Sequence, residues 1–250
     1  MNAQRLPQKQ RNSVFAPQNI RIDGNASEWN GRFQAYQVVN RMFYTVSNDD
    51  SNLYLTVFLK DKEAVSKILR GGLTFSIDFP PKNTNDISIT YPAIPNKRST
   101  ALNLLKNSPN IYNILIEDSI TNKSKIDSLS LASNQQIEDL FKEIQVTGIK
   151  ELTEPLISIY NSQNIQVAAL LNKRMEYTYE LALPLKYLND VNKSDNFRYN
   201  IKLNCWGTVE VPGFISYPPP ILTKIQTPNQ EDLFRNNPTD FWNEYTLNRR

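Results

Sequence analysis

The residues best equipped for chemistry in this sequence are aromatic: Trp206, Tyr217, Tyr91 and Trp242. Flat aromatic rings stack on the C–H faces of polar ligands, and the abundant Asn, Asp and hydroxyl side chains around them can supply hydrogen bonds. Each has a plainer reading beside this one. Along 197–206, Phe197, Tyr199, Ile201, Leu203 and Cys205 fall on one face of a strand and Trp206 on the polar one, so Trp206 is either an exposed platform or a ring covered by the Pro-rich stretch 211–238. Trp242, paired with Phe241 in a closing strand, fits a core position at least as well.

Other chemistries are excluded or weak. The chain has 250 residues, no His and a single Cys, Cys205, which removes His-based triads, His-ligated zinc, intramolecular disulfides and thiolate metal cages. Two carboxylates on strands, Asp78 and Glu180, could form an acid-base pair only if they faced one cleft about 5–10 Å apart. Such pairs arise by chance in any chain of this size, so the expectation is a protein that is not an enzyme and carries no catalytic residue. The net charge of +3, with 28 basic and 25 acidic residues interspersed, gives no basic face for nucleic acid. No run of about 18 apolar residues exists to cross a membrane, and the polar N-terminus lacks the apolar core of a secretory signal.

The elements that must position these groups are mostly strands. Leu53–Leu59 is β-branched and aromatic, and it pairs with Met42–Val46 across the polar tip 47–52 as a hairpin. Leu73–Phe79 alternates strictly and stops at Pro80-Pro81, and Tyr177–Leu183 reads as a strand ended by Pro184. Further strands are predicted at 20–22, 145–150, 156–160, 165–171, 197–206 and 240–247. Ala64, Val65, Ile68 and Leu69 space a short helix, and Ile137, Leu140, Phe141 and Ile144 space a second over 133–144. Residues 1–18 read as a flexible N-terminal tail or an extended arm, 82–143 as an insertion, and 211–238, with its many prolines, as a long ordered loop. The fold class is all-β: a single antiparallel β-sandwich domain over 19–250, jelly-roll-like, with one or two short helices and long loop insertions.

Four segments in this order, IRIDGNASEW (20–29), NLYLTVFLKD (52–61), GLTFSIDF (72–79) and EYTYELALPLKYL (176–188), resemble the family 9 carbohydrate-binding modules and the related DOMON-like sandwiches. The physical roles of the shared residues are structural: Gly24 permits the turn after Asp23, Trp29 packs back on the sandwich edge, and Leu185 with Leu188 covers the open end of the core. The resemblance implies a non-catalytic module that binds a polysaccharide or oligosaccharide, secreted, periplasmic or on the outer surface; a cytoplasmic place is the other reading of the N-terminus. The alternatives it leaves open are an envelope sandwich that binds a protein and no sugar, and a haem-binding redox subunit. Calcium, bound by members of the family, would here fall to Asp49, Asp50 and Asp61, although no EF-hand spacing is present. A haem would need sulfur from Met1, Met42 or Met175, which read more simply as core or turn residues. No cofactor is expected.

Overall fold

The computed structural model describes residues 6–79, 86–93, 123–189, 195–205 and 230–249. Its strands are β1 (Ala35–Gln37), β2 (Met42–Asn48), β3 (Asn52–Leu59), β4 (Leu73–Asp78), β5 (Ile87–Tyr91), β6 (Glu143–Thr147), β7 (Leu156–Ser158), β8 (Gln166–Leu171), β9 (Tyr177–Pro184), β10 (Asn196–Leu203) and β11 (Thr239–Thr246). They form two antiparallel sheets, a five-stranded one in the order β1-β2-β3-β9-β8 and a six-stranded one in the order β11-β10-β4-β5-β6-β7. The protein is therefore an all-β sandwich.

Period-2 alternation explains how the sheets meet. Inward residues of the first sheet (Met42, Tyr44, Val46, Leu53, Leu55, Val57, Tyr177, Tyr179, Leu181) and of the second (Phe75, Ile77, Ile87, Ile89, Tyr199, Ile201) join one continuous core. Tyrosines do much of the filling: Tyr44, Tyr177, Tyr179 and Tyr199 are fully buried. Tyr44 packs on Phe241 and Tyr91 on Tyr179 across the gap, with ring centroids 5.1 and 6.2 Å apart. Leu185 and Leu188, from the segment after β9, are buried in this core.

Helix α1 (Lys62–Gly71) starts at Asp61, whose carboxylate accepts the Ala64 N–H at 2.9 Å. Helix α2 (Lys123–Leu140) covers β8, and its Asn134 side chain donates to the Leu171 carbonyl and accepts the Leu171 N–H. Helix α3 (Gln230–Asn236) lies on α1. It is held by Arg235 to Glu63 at 2.8 Å, by Arg41 to Glu231 at 2.7 Å, and by Phe234, whose ring sits 4.0 Å from the Arg41 guanidinium and 4.3 Å from Lys67 Nζ. Burial lowers the Lys67 amine to about 8.

Several expectations change. Residues 20–22 are extended coil rather than a strand. The second helix is earlier and longer than 133–144, and Ile144 belongs to β6 instead, with Phe141 ending the helix and entering the core. The 82–143 stretch is not wholly an insertion, because β5 within it is an interior strand paired to β4 and β6. Part of the Pro-rich loop is helix α3.

The N-terminus takes the form of an arm. Gln10 is buried, its amide donating to the Val46 carbonyl at 2.7 Å and accepting the Val46 N–H at 2.8 Å, and Val14 and Ala16 continue the pairing at Asn48. The arm thus completes the edge of β2 where β1 ends. Gln10→Ala leaves one buried N–H and one buried C=O of β2 unmatched; a loss of about 1–3 kcal/mol in urea unfolding is expected, and Gln10→Glu, which keeps the acceptor but loses the donor, should recover less than half of it.

Candidate functional site

The outward face of the five-stranded sheet is built in cross-strand rows set by the register. One row is Phe43–Phe58–Thr178–Leu170, contributed by β2, β3, β9 and β8. The next is Thr45–Thr56–Glu180–Ala168, and the one beyond is Ser47–Tyr54–Ala182–Gln166. The segment before β1 runs over these rows in turn. Ala16, Ile20 and Ile22 cover Tyr54 and Ala182, the turn at Asp23-Gly24 covers Glu180, and Phe33 reaches the phenylalanine row.

Glu180 holds the middle of this cover. Its side chain is fully buried, and Oε2 accepts the N–H groups of Gly24 at 2.9 Å and Asp23 at 3.2 Å, while Oε1 has no partner. The turn itself is an Asx turn, with the Asp23 carboxylate accepting the Asn25 N–H at 2.9 Å. Gly24 has φ +80°, and a Cβ there would stand 2.7 Å from Leu170 Cγ, so only glycine lets the backbone come down on β8 and reach Glu180. Burial raises the Glu180 carboxyl to about 7 in spite of the two N–H donors, and the nearby Asp23 and Glu28 carboxylates add to the rise.

Where the cover lifts from the phenylalanine row, a cleft of about 550 Å³ opens, in the range of small-molecule sites. Phe43 and Phe58 floor it beside Thr178 and Leu170, Phe33 stands parallel to Phe58 at 5.7 Å, and Asn25, Ser27 and Asn172 bring polar groups to the walls. Lys60 follows Phe58 on the outward side and puts its amine 5.4 Å from the Phe43 ring and 5.6 Å from that of Phe58. Arg174 also lines the cleft, but its guanidinium is tied to Glu176 at 3.0 Å. The site can therefore receive an apolar ring face on its floor and polar substituents at its rim.

Tyr91 and Trp242, two of the aromatic residues singled out in the sequence, are not in this cleft. Tyr91 is buried, its hydroxyl donating to the Phe141 carbonyl at 3.2 Å, so its ring serves the core. Trp242 points outward from the six-stranded sheet, 38 % exposed, with the Arg198 guanidinium 5.0 Å from its ring, while Phe241 beside it takes the core position. Around Trp242 lies a ladder of polar partners, Asn200, Ser76 and Ser88, in one row across β10, β4 and β5. Trp206 and Tyr217 lie outside the described residues.

The remaining candidates are separated or engaged. Asp78 sits on the outward side of the six-stranded sheet against Arg198 at 3.4 Å, the opposite surface from Glu180, so these two carboxylates do not share a cleft. Asp49 accepts the Ser51 and Asn52 N–H groups and the Tyr54 hydroxyl, and Asp61 caps α1 and meets Arg41. Among the described residues no group of three or more His, Cys, Asp or Glu could hold a metal ion. Met42 is in the core, and Met175 is buried in the turn before β9. Comparison of the chain with protein-family models, with curated proteins and with solved structures finds no match in any of the three.

The raised Glu180 pKa fixes a pH dependence. The folded state binds the proton more tightly than the unfolded chain, so this group's contribution is fully present below the ordinary carboxylate pKa of about 4.5 and is lost as pH rises through about 7. Glu180→Gln keeps the acceptor for Gly24 and has no proton to lose. It is expected to match wild type near pH 4.5 and to exceed it by a few kcal/mol at pH 8, a difference that chemical denaturation at the two pH values measures directly.

Proposed function

We propose that this protein is a non-catalytic binding module and that the cleft over the Phe43–Phe58 row receives a carbohydrate. The observation that carries the reading is the combination on one register row of two half-buried phenylalanine rings with a threonine hydroxyl, roofed by Asn25 and Ser27. A pyranose presents the matching pattern: C–H faces that stack on rings and edge hydroxyls that need donors and acceptors. The order of the four segments that resemble family 9 carbohydrate-binding modules supports the same reading, with the ligand moved from Trp and Tyr to Phe.

A second reading, a sandwich that binds a protein and no sugar, is favoured by one observation, the exposed Trp242 above its polar row on the other sheet. Single substitutions separate the two. In affinity gels and calorimetry against a panel of oligosaccharides, Phe58→Ala should weaken binding by about tenfold or more, the loss of one stacked ring. Trp242→Ala should leave sugar affinity unchanged. No binding to any saccharide by the wild-type protein removes the carbohydrate reading, and sugar binding abolished by Trp242→Ala moves the site to the other sheet.

A further inference from the structure

We infer that the ligand of this cleft carries a carboxylate, so that the preferred sugar is a uronic acid and not a neutral hexose; the inference rests on the carbohydrate reading above. Among the described lining residues there is no Asp or Glu, whereas Lys60 and Arg174 are both present. The two cations are not equivalent. Arg174 donates through Nε and a terminal nitrogen to Glu176, which answers its charge. Lys60 has no carboxylate partner among the described residues, and its amine is held only over the faces of Phe43 and Phe58.

That placement is informative because it puts the amine on the same surface that a sugar ring would use. Lys60 leaves β3 on the outward side, one alternation step beyond Phe58, so the backbone of the strand fixes its stem next to the floor of the cleft. A cation resting on exposed aromatic faces is held only weakly. A carboxylate at close range holds the same amine better than the rings do, since it adds a charge-assisted hydrogen bond. A ring stacked on Phe58 with its carboxyl directed along the strand would meet the amine without backbone movement and would free the phenylalanine face it occupies. A neutral sugar has to displace the amine and returns no charge partner. The phenylalanine floor supplies the stacking, and Lys60 supplies the preference.

A matched pair of ligands tests this: an oligogalacturonide and its methyl ester, which have the same rings and differ in the carboxyl charge. By calorimetry at low ionic strength the acid should bind at least about tenfold tighter than the ester, and the advantage should shrink as salt is raised, as for an exposed ion pair. Lys60→Gln should bring the acid-to-ester ratio to about one, with the thermal midpoint lowered only slightly because the side chain is exposed and its contact with the rings is weak. Arg174→Gln should reduce the ratio by much less. Equal affinity of wild type for acid and ester, or an unchanged ratio in Lys60→Gln, overturns the inference while leaving a sugar site in place. Absence of binding to either ligand and to neutral oligosaccharides overturns both readings.

Discussion

Glu180 occupies a position where a sheet facing solvent would ordinarily carry an exposed polar side chain, and it has no exposure at all. Burying a carboxylate is expensive unless its oxygens are matched, and here one oxygen takes two backbone N–H groups while the other takes none. The chain accepts this because the two donors belong to the turn that must lie on the sheet. Segment 15–34 has few large apolar residues with which to adhere, namely Phe15, Ile20, Ile22, Trp29 and Phe33, so a directional contact at Asp23-Gly24 sets where the segment sits. Everything about the cleft follows from that placement: its roof, its depth, and the exposure of one phenylalanine row while the next two rows are covered.

Two kinds of packing thus meet on a single sheet. Inside, tyrosine and aliphatic side chains from both sheets fill the gap, and their burial is what holds the sandwich together. Outside, the same strands present Phe43, Phe58 and Thr178 to a cover that is polar at its edges. The inner face tolerates nothing but volume and shape, whereas the outer one keeps space for something else. A carboxyl near neutrality beneath the cover also links the attachment of the segment to pH in the range where most proteins work.

Much of the architecture was readable from alternation. The strictly alternating Leu73–Phe79 and Phe197–Cys205, the apolar run Leu53–Leu59 and the stop at Pro184 became β4, β10, β3 and β9, while Trp29 is buried and the turn at Asp23-Gly24 is bound by Glu180. β5 was missed although Ile87, Ile89 and Tyr91 alternate, because five residues beside Pro92 resemble a loop. The cleft was hidden for a different reason. Phe43 and Phe58 lie in continuous apolar runs, where every residue resembles core and alternation cannot say which ones face out. Only the hairpin register, which places Phe43 opposite Phe58, and the parity of Lys60 after Phe58 identify them. The aromatic residues chosen from sequence were the conspicuous ones near loops, and the folded chain uses Tyr91 as core.

The N-terminal arm does more than extend β2. Asn243 donates to the Gln10 carbonyl, Tyr245 to that of Val14, and Ser13 to that of Thr246, contacts between residues more than 230 positions apart, while Asn48 accepts from both Tyr245 and the Asn248 N–H. The arm and β11 are sewn together along one seam of the sandwich. A ribosome delivers residues 10–14 long before β11, so the arm has no partner on that side until β11 has been made. Contacts of this separation make folding slow to commit. They also make the finished molecule all-or-none at its seam: a nick or truncation that removes β11 frees the arm, bares the edge of β2 and opens the sandwich from a point far from the cut.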